Sequence, residues 1–293
     1  MPNKNQPIIL TNKKQTEMKK NFLVVVTMLT LATTIQAQKL KKYDKLFYVN
    51  TKQETSDVTV FIETAVANDK MLKFKIKIVN KTNDYIIYKT AETKLVVNGK
   101  EYKPSGKEKE MIISPLDNDS KVINIMGDGF NAARSCNYVI DGLYKISSKG
   151  NGVATADYKL PGAKADFSTG GFNCNMTSLY KQTDATKLDF KVSYTGEKTG
   201  CIFPANATLL MPDGNEYPAK KPGGLFAKPG LIILNKGTTD EFNVTWDQIQ
   251  GGKAMDMQKV PLTIKWNETF CELTPINIKS LSMDLEIDET LSK

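Results

Sequence analysis

"TKLVVNGKEY" (Thr93 to Tyr102) and "TLLMPDGNEY" (Thr208 to Tyr217) carry Thr, Leu, Gly, Glu and Tyr at matching positions, 115 residues apart. Each is preceded by a strongly alternating stretch, "LKFKIKI" from Leu72 and "LDFKVSY" from Leu188. Leu72, Phe74, Ile76 and Ile78 fall on one face of an extended chain with lysines on the other. Leu188, Phe190, Val192 and Tyr194 repeat the pattern. A period of two is the mark of a half-buried antiparallel strand. Each strand runs into a polar turn, "VNKTND" or "TGEKTG". Asn98-Gly99 and Asp213-Gly214 are then hairpin signals, because a tight two-residue turn needs positive φ at both centres and Asx-Gly supplies it.

The order continues in parallel, with "SKVINIM" (Ser120 to Met126) matched by "DEFNVTW" (Asp240 to Trp246), and "YVIDGLYKI" by "VPLTIKW". A last alternating strand, Ile276 and Ile278 followed by Met283, Leu285 and Ile287, changes phase near Lys279-Ser280, which reads as a β-bulge. Short strands between closely spaced turn signals, with almost no helical periodicity, predict an all-β chain of two antiparallel β-sandwiches. "SSKGNGVATADYKLPGA" (Ser147 to Ala163) has the Gly, Ser and Pro content of a linker.

An alternating strand, a polar turn, an Asx-Gly-x-Glu-Tyr hairpin and a later strand such as "FNVTW" resemble the immunoglobulin-like domains of unknown function on many secreted bacterial proteins and lipoproteins. The resemblance covers roughly residues 57–146 and 170–287. It implies two tandem immunoglobulin-like sandwiches and an extracytoplasmic location, and it transfers no catalytic residue. The tyrosine corner and Cys–Trp–Cys pattern of antibody domains are not evident.

Near the start, "MKKNFLVVVTMLTLATTIQAQ" places Lys19 and Lys20 before an apolar run and Ile35-Gln36-Ala37 before Gln38, the layout of a secretory signal peptide. The run is too short to span a bilayer comfortably, and no later stretch approaches the roughly 20 apolar residues a span needs. No transmembrane segment is expected in the mature chain. The expected organisation is an N-terminal extension and signal peptide (1–37), an N-terminal segment (38–56), a first sandwich (57–146), a linker (147–165) and a second sandwich (166–293). Translation starting at Met1 or at Met18 is equally compatible with this layout. Export is expected, to the periplasm, the cell surface or the medium.

Removing the five lysines and one glutamate of residues 1–37 lowers the formal charge from +8 to +4. The remaining cations are lysines, apart from Arg134, and they are scattered rather than clustered. Nucleic-acid readers group their charge and favour the arginine fork, so no nucleic-acid partner is expected.

The chain has no histidine. That excludes Ser-His-Asp and Cys-His catalysis and His-ligated zinc. Cys136, Cys174, Cys201 and Cys271 follow an export signal and are even in number, which favours disulfides over metal; three connectivities are open. "SLYK" (Ser178 to Lys181) with "KTG" (Lys198 to Gly200) is similar to the motifs of penicillin-binding serine enzymes. That chemistry, however, needs Ser and Lys one helical turn apart and a third element that is missing. Asp117, Asp119 and Asp128 lack calcium-loop spacing and read as turn residues. Asp284 and Glu286 alternate with apolar residues as on a solvated sheet face. Trp246 and Trp266 share register with apolar neighbours, which places both in cores rather than on a sugar-binding platform.

No catalytic, cofactor or metal residue is therefore assigned. The candidate contact residues are Leu225 and Phe226, two large apolar side chains on the Gly- and Pro-rich "KKPGGLFAKPG" (Lys220 to Gly230), where a loop on a rigid scaffold can meet a partner. The expected function is a non-catalytic binding, adhesion or envelope-associated module that recognises a protein or cell-envelope component through loops or an exposed strand edge. The rival expectation is an extracytoplasmic enzyme, or an accessory subunit of one, with a site between the two sandwiches.

Overall fold

The alternating stretches form the longest strands. The structure, a computed structural model, describes residues 43–104, 109–149, 152–160, 165–221, 230–247, 257–259 and 261–292. The signal peptide expected at residues 1–37 lies outside them. Among the described residues the regular structure is antiparallel strand with three single-turn 3-10 segments, and there is no α-helix.

Six sheets fall into two matching sets of three. Sheet I holds Val58–Ala67, Met71–Asn80 and Asn118–Met126, with the short N-terminal strands Leu46–Phe47 and Thr51–Glu54 on Val58–Ala67. The N-terminal segment is thus part of the first sheet. Sheet II runs Leu281–Glu286, Ser135–Ile140, Thr93–Val97, Lys100–Tyr102, and sheet III runs Ile276–Asn277, Leu143–Ile146, Tyr85–Tyr88, Met111–Ile113. In the second half, sheet IV runs Asp166–Thr169, Phe172–Lys181, Ala185–Tyr194, Thr239–Asp247. Sheet V runs Tyr158–Lys159, Thr263–Lys265, Thr208–Leu210, Glu216–Pro218, and sheet VI runs Ile232–Leu234, Thr199–Ile202, Phe270–Leu273.

The duplication seen in the sequence therefore extends to strand order and length. The three long strands of sheet I have 10, 10 and 9 residues, and so do their counterparts in sheet IV. Each set closes on its own β-sandwich-like core. Leu72, Phe74, Ile76 and Ile78 are buried against Leu95, Tyr138 and Leu285 of sheet II, and Leu188, Phe190, Val192 and Tyr194 against Leu209, Ile264 and Trp266. Burying each such side chain contributes about 1.5–3 kcal/mol, so these faces fix the register of both halves.

The first hairpin has the expected turn, with φ of 50° at Asn98 and 76° at Gly99. The second differs. Only Gly214 has positive φ (83°), and the loop closes one residue wider, with Met211 accepting from Gly214 N–H at 2.9 Å and its own N–H donating to Asn215 at 3.0 Å. Pro212 is the reason: its ring holds φ near −65°, which suits the first centre of a type I turn and forbids the left-handed first centre of a two-residue loop.

The C-terminal strand also departs from expectation. The phase change at Lys279-Ser280 is not a bulge but a passage between sheets, because Ile276–Asn277 pairs with Leu143–Ile146 and Leu281–Glu286 with Ser135–Ile140. True bulges lie between Glu63 and Val66 and between Met176 and Ser178. Residues 276–287 thus complete the first half, although the expected boundary assigned them to the second.

Its counterpart is part of the expected linker. Gly152 bridges Cys271 and Tyr158 pairs with Ile264, just as Asn277 pairs with Tyr144 and Met283 with Tyr138. Each half is closed by a segment from outside its own run of strands, and the contact points along the two closing segments, Gly152 and Tyr158 or Asn277 and Met283, are equally spaced. Crossing of the C-terminus back to the first half holds Tyr43–Lys293 in one compact unit.

A third apolar cluster joins the halves. Strand Tyr85–Tyr88 sends Ile86 and Tyr88 into the first core and Tyr85 and Ile87 to its back. Strand Thr199–Ile202 likewise sends Ile202 into the second core and Cys201 to its back. Sheets III and VI therefore share a cluster of Ile87, Ile146, Cys201, Phe203, Leu231 and Cys271, with Tyr85 and Phe203 rings 5.8 Å apart. Burial on both faces explains why "YIIY" shows no alternation.

Candidate functional site

Three strand edges meet at one cleft. Met111–Ile113 ends sheet III, Ile232–Leu234 ends sheet VI and Thr239–Asp247 ends sheet IV, and among the described residues no further strand pairs with their outer sides. Between them lies a cleft of about 820 Å³. The half-buried side chains of Ile112, Ile232 and Ile233 give it an apolar lining. An edge strand exposes unpaired backbone N–H and C=O groups, which is why proteins usually cover or shorten such edges.

The sequence places these edges together through the duplication. Met111–Ile113 and Ile232–Leu234 are equivalent strands, each pairing with the strand that follows its half's polar turn. Back-to-back packing of sheets III and VI then brings the two edges to the same side. Thr239–Asp247 follows Ile232–Leu234 after the turn at Gly237 (φ 80°).

The rim is charged but balanced. Lys109, Lys220 and Lys221 face Glu110, Asp240 and Glu241. Lys220 is ion-paired with Asp247, and its N–H donates to the Thr245 carbonyl at 2.8 Å, closing one end of that edge. Glu110 lies 3.8 Å from Lys89, and Lys121 donates to the Lys109 carbonyl at 2.6 Å. Equal numbers of each sign give no field for a polyanion, and what remains to recognise is backbone and apolar side chain.

Leu225 and Phe226 lie outside the described residues; their sequence neighbours Lys221 and Gly230 line the cleft. The four cysteines are buried and unbridged. Trp246 and Trp266 are buried, as their register predicts; Trp246 Nε1 donates to the Tyr217 carbonyl at 3.1 Å. Ser178 and Lys181 stand on strand Phe172–Lys181, so the one-turn helical spacing that the serine-enzyme motif needs is absent. Asp117 and Asp119 each accept from the next residue's N–H at 2.7 Å, while Asp128 pairs with Lys70 at 2.6 Å. No group of His, Cys, Asp or Glu arranged to hold a metal occurs among the described residues. No helix among them is long and apolar enough to cross a membrane.

No protein-family model matches the chain, and no curated protein does. Among solved structures, one titled pT26-6p is 7% identical, with a TM-score of 0.21, covering 80% of this chain and 66% of that one. Red sea bream transglutaminase is 6% identical, with a TM-score of 0.18, covering 79% of this chain and 31% of its own. AerE from Microcystis aeruginosa is 8% identical at 0.13, covering 83% and 99%. Likenesses this slight carry no argument about fold or activity.

The cleft was not legible in the sequence. Its walls come from residues 109–112, 230–233 and 240–245, and nothing local marks a short strand as an edge. The charged neighbours Lys109-Glu110 and Asp240-Glu241 beside apolar strand residues are the one available signal.

Proposed function

We propose that the protein is an exported, non-catalytic binding module of two tandem immunoglobulin-like β-sandwiches, and that it captures an extended polypeptide segment of a partner protein at the cell envelope by strand addition. The observation that carries this reading is the convergence of three open strand edges on one apolar-lined cleft. Main-chain hydrogen bonds would supply affinity, and the apolar surface of Ile112, Ile232 and Ile233 would select alternate side chains of the guest. Duplicated strand order supports the tandem arrangement, and the sequence of residues 18–38 supports export. Leu225 and Phe226, between two lining segments in sequence, are the proposed additional partner contacts.

Selection of a displayed random-peptide library on the immobilised full chain tests it. Enriched peptides should be uncharged overall, β-prone and alternating. Enrichment of no peptide, or of polyanionic or helix-forming ones alone, would sink the reading.

The same cleft is where the rival enzyme reading would place its site, since it gathers lysines and carboxylates. Such chemistry needs an activated lysine. Selective reductive labelling of Lys109 or Lys221 by an aldehyde below pH 8, ahead of the other lysines, would favour the enzyme.

A further inference from the structure

Cys201 and Cys271 stand directly opposite each other on neighbouring antiparallel strands of sheet VI. Opposed residues of an antiparallel pair have Cα atoms about 4.5–5.5 Å apart, inside the about 4.4–6.8 Å that a disulfide spans. Both side chains point to the same face, the junction with sheet III, and both are fully buried. The Cys271 thiol donates to the Glu268 carbonyl at 3.4 Å. The other two cysteines have no such neighbour. Cys136 lies in the first core opposite Leu285, and Cys174 in the second core between Phe167 and Val192. Of the six pairings among four cysteines, only 201 with 271 joins residues of one cluster.

We infer that Cys201 and Cys271 are the disulfide partners of this chain, with Cys136 and Cys174 remaining thiols. Of the three connectivities open in the sequence, none survives whole: one bridge forms and two cysteines stay reduced. The equivalent positions in sheet III, Ile87 and Tyr144, are an ordinary apolar pair. The bridge is therefore a feature added to the second half, and it fastens the two strands on which the junction cluster rests.

The chemistry is thiol–disulfide exchange with a disulfide donor, a protein disulfide in the cell or oxidised glutathione in the test. One cysteine thiolate attacks the donor and releases one donor thiolate, leaving a mixed disulfide. The second cysteine thiolate attacks the protein sulfur of that mixed disulfide and releases the other. Two electrons pass from the cysteine pair to the donor, whose two thiolates take up the two protons. In the folded chain burial pushes the thiols up, Cys201 to about 12 and Cys271 to about 11, so few thiolates exist near neutral pH. The bridge accordingly forms while sheet VI is still open and is sealed beneath Ile87, Phe203 and Leu231 afterwards. Formation in the cell rests on the export reading; the choice of partners does not.

Each cysteine lies on a separate tryptic peptide, 135–145, 165–181, 199–220 or 266–279. The full chain, refolded in a glutathione redox mixture and digested without reduction, should yield 199–220 joined to 266–279, with the other two cysteines alkylated after denaturation. Native protein should resist a water-soluble reductant until denaturant is added. A Cys201→Ser variant should give three alkylated cysteines and no bridge. Four alkylated cysteines in the refolded protein, or any other joined pair, would overturn the inference. A bridge in refolded protein but four free thiols in protein harvested from its own cells would overturn the export reading and leave the pairing standing.

Discussion

The Asn137 side chain donates a 2.6 Å hydrogen bond to the carboxylate of Asp284, 147 residues later in the chain. The two residues face each other across the pairing of Ser135–Ile140 with Leu281–Glu286, a registry that runs for six residues. The last strand of the chain is thus the outer strand of the first half, and Met283 and Leu285 fill its core.

Leu285→Ala should therefore destabilise the first half, by about 2–5 kcal/mol as for other buried leucines. Because both tryptophans lie in the second half, urea unfolding followed by tryptophan emission and by far-ultraviolet circular dichroism distinguishes the outcomes. Loss of secondary structure at lower urea than the tryptophan transition is expected if the halves uncouple. Coincident shifts of both signals mean that the junction cluster keeps them cooperative. No shift in either would contradict the placement of this strand.

A second target is the hydroxyl chain inside the first core. Tyr138 Oη lies 2.7 Å from both Tyr88 Oη and Thr93 Oγ1, and Thr93 donates to the Thr90 carbonyl at 2.7 Å. Tyr138→Phe removes one hydrogen bond from each of two buried hydroxyls, Tyr88 Oη and Thr93 Oγ1, and a loss of about 1–3 kcal/mol is expected. Equilibrium denaturation measures it, and Tyr180→Phe, at an exposed position, is the control.

Alkaline pH should destabilise the protein more than mild acid. Burial pushes the Cys136 and Cys174 thiols up to about 12, and burial together with the Glu272 carboxylate pushes Tyr194 to about 12. The unfolded chain loses these protons first, at its ordinary values of 9.0 for cysteine and 10.0 for tyrosine. Stability is then intact below about pH 9 and falls as pH rises toward 12. On the acid side, Lys81 and Lys52 hold Glu54 below its ordinary value, Lys70 does so for Asp128 and Lys265 for Glu216. Those contributions are present above the usual carboxylate range and are lost as pH falls through the lowered values, but all three carboxylates are exposed and their pairs screened. Melting temperature against pH should be flat between about 5 and 9, with the steeper limb on the alkaline side.

Much of this fold was legible because strand alternation is local. Every residue expected to face inward in "LKFKIKI" and "LDFKVSY" is buried. What escaped depends on partners far away in the chain. Nothing near Lys279 says that residues 281–286 will leave one sheet for another, and nothing near "YIIY" reveals a second sheet behind it. The wider second hairpin was recoverable, since Pro212 in a turn centre is a local steric fact. The cleft was the least accessible, because edge status is a property of the assembled sheets.

On the strand-addition proposal, the balanced rim predicts binding at the cleft that is insensitive to salt. Affinity for a selected peptide should change less than about threefold when ionic strength rises from about 0.05 to 0.5 M, whereas a charge-steered interface would weaken strongly. Fluorescence anisotropy of labelled peptide measures it. Ile112→Lys, which puts a charge on one open edge, should weaken binding roughly tenfold or more, about 1.4 kcal/mol, with the fold monitored by circular dichroism.

Amide hydrogen exchange of the full chain, with and without a selected peptide, tests strand addition most directly. An added strand bonds to backbone groups along an edge, so new protection is expected in Met111–Ile113, Ile232–Leu234 or the 240–243 part of Thr239–Asp247, while both cores keep their rates. Binding that leaves all three edges exchanging as in the free protein would contradict it.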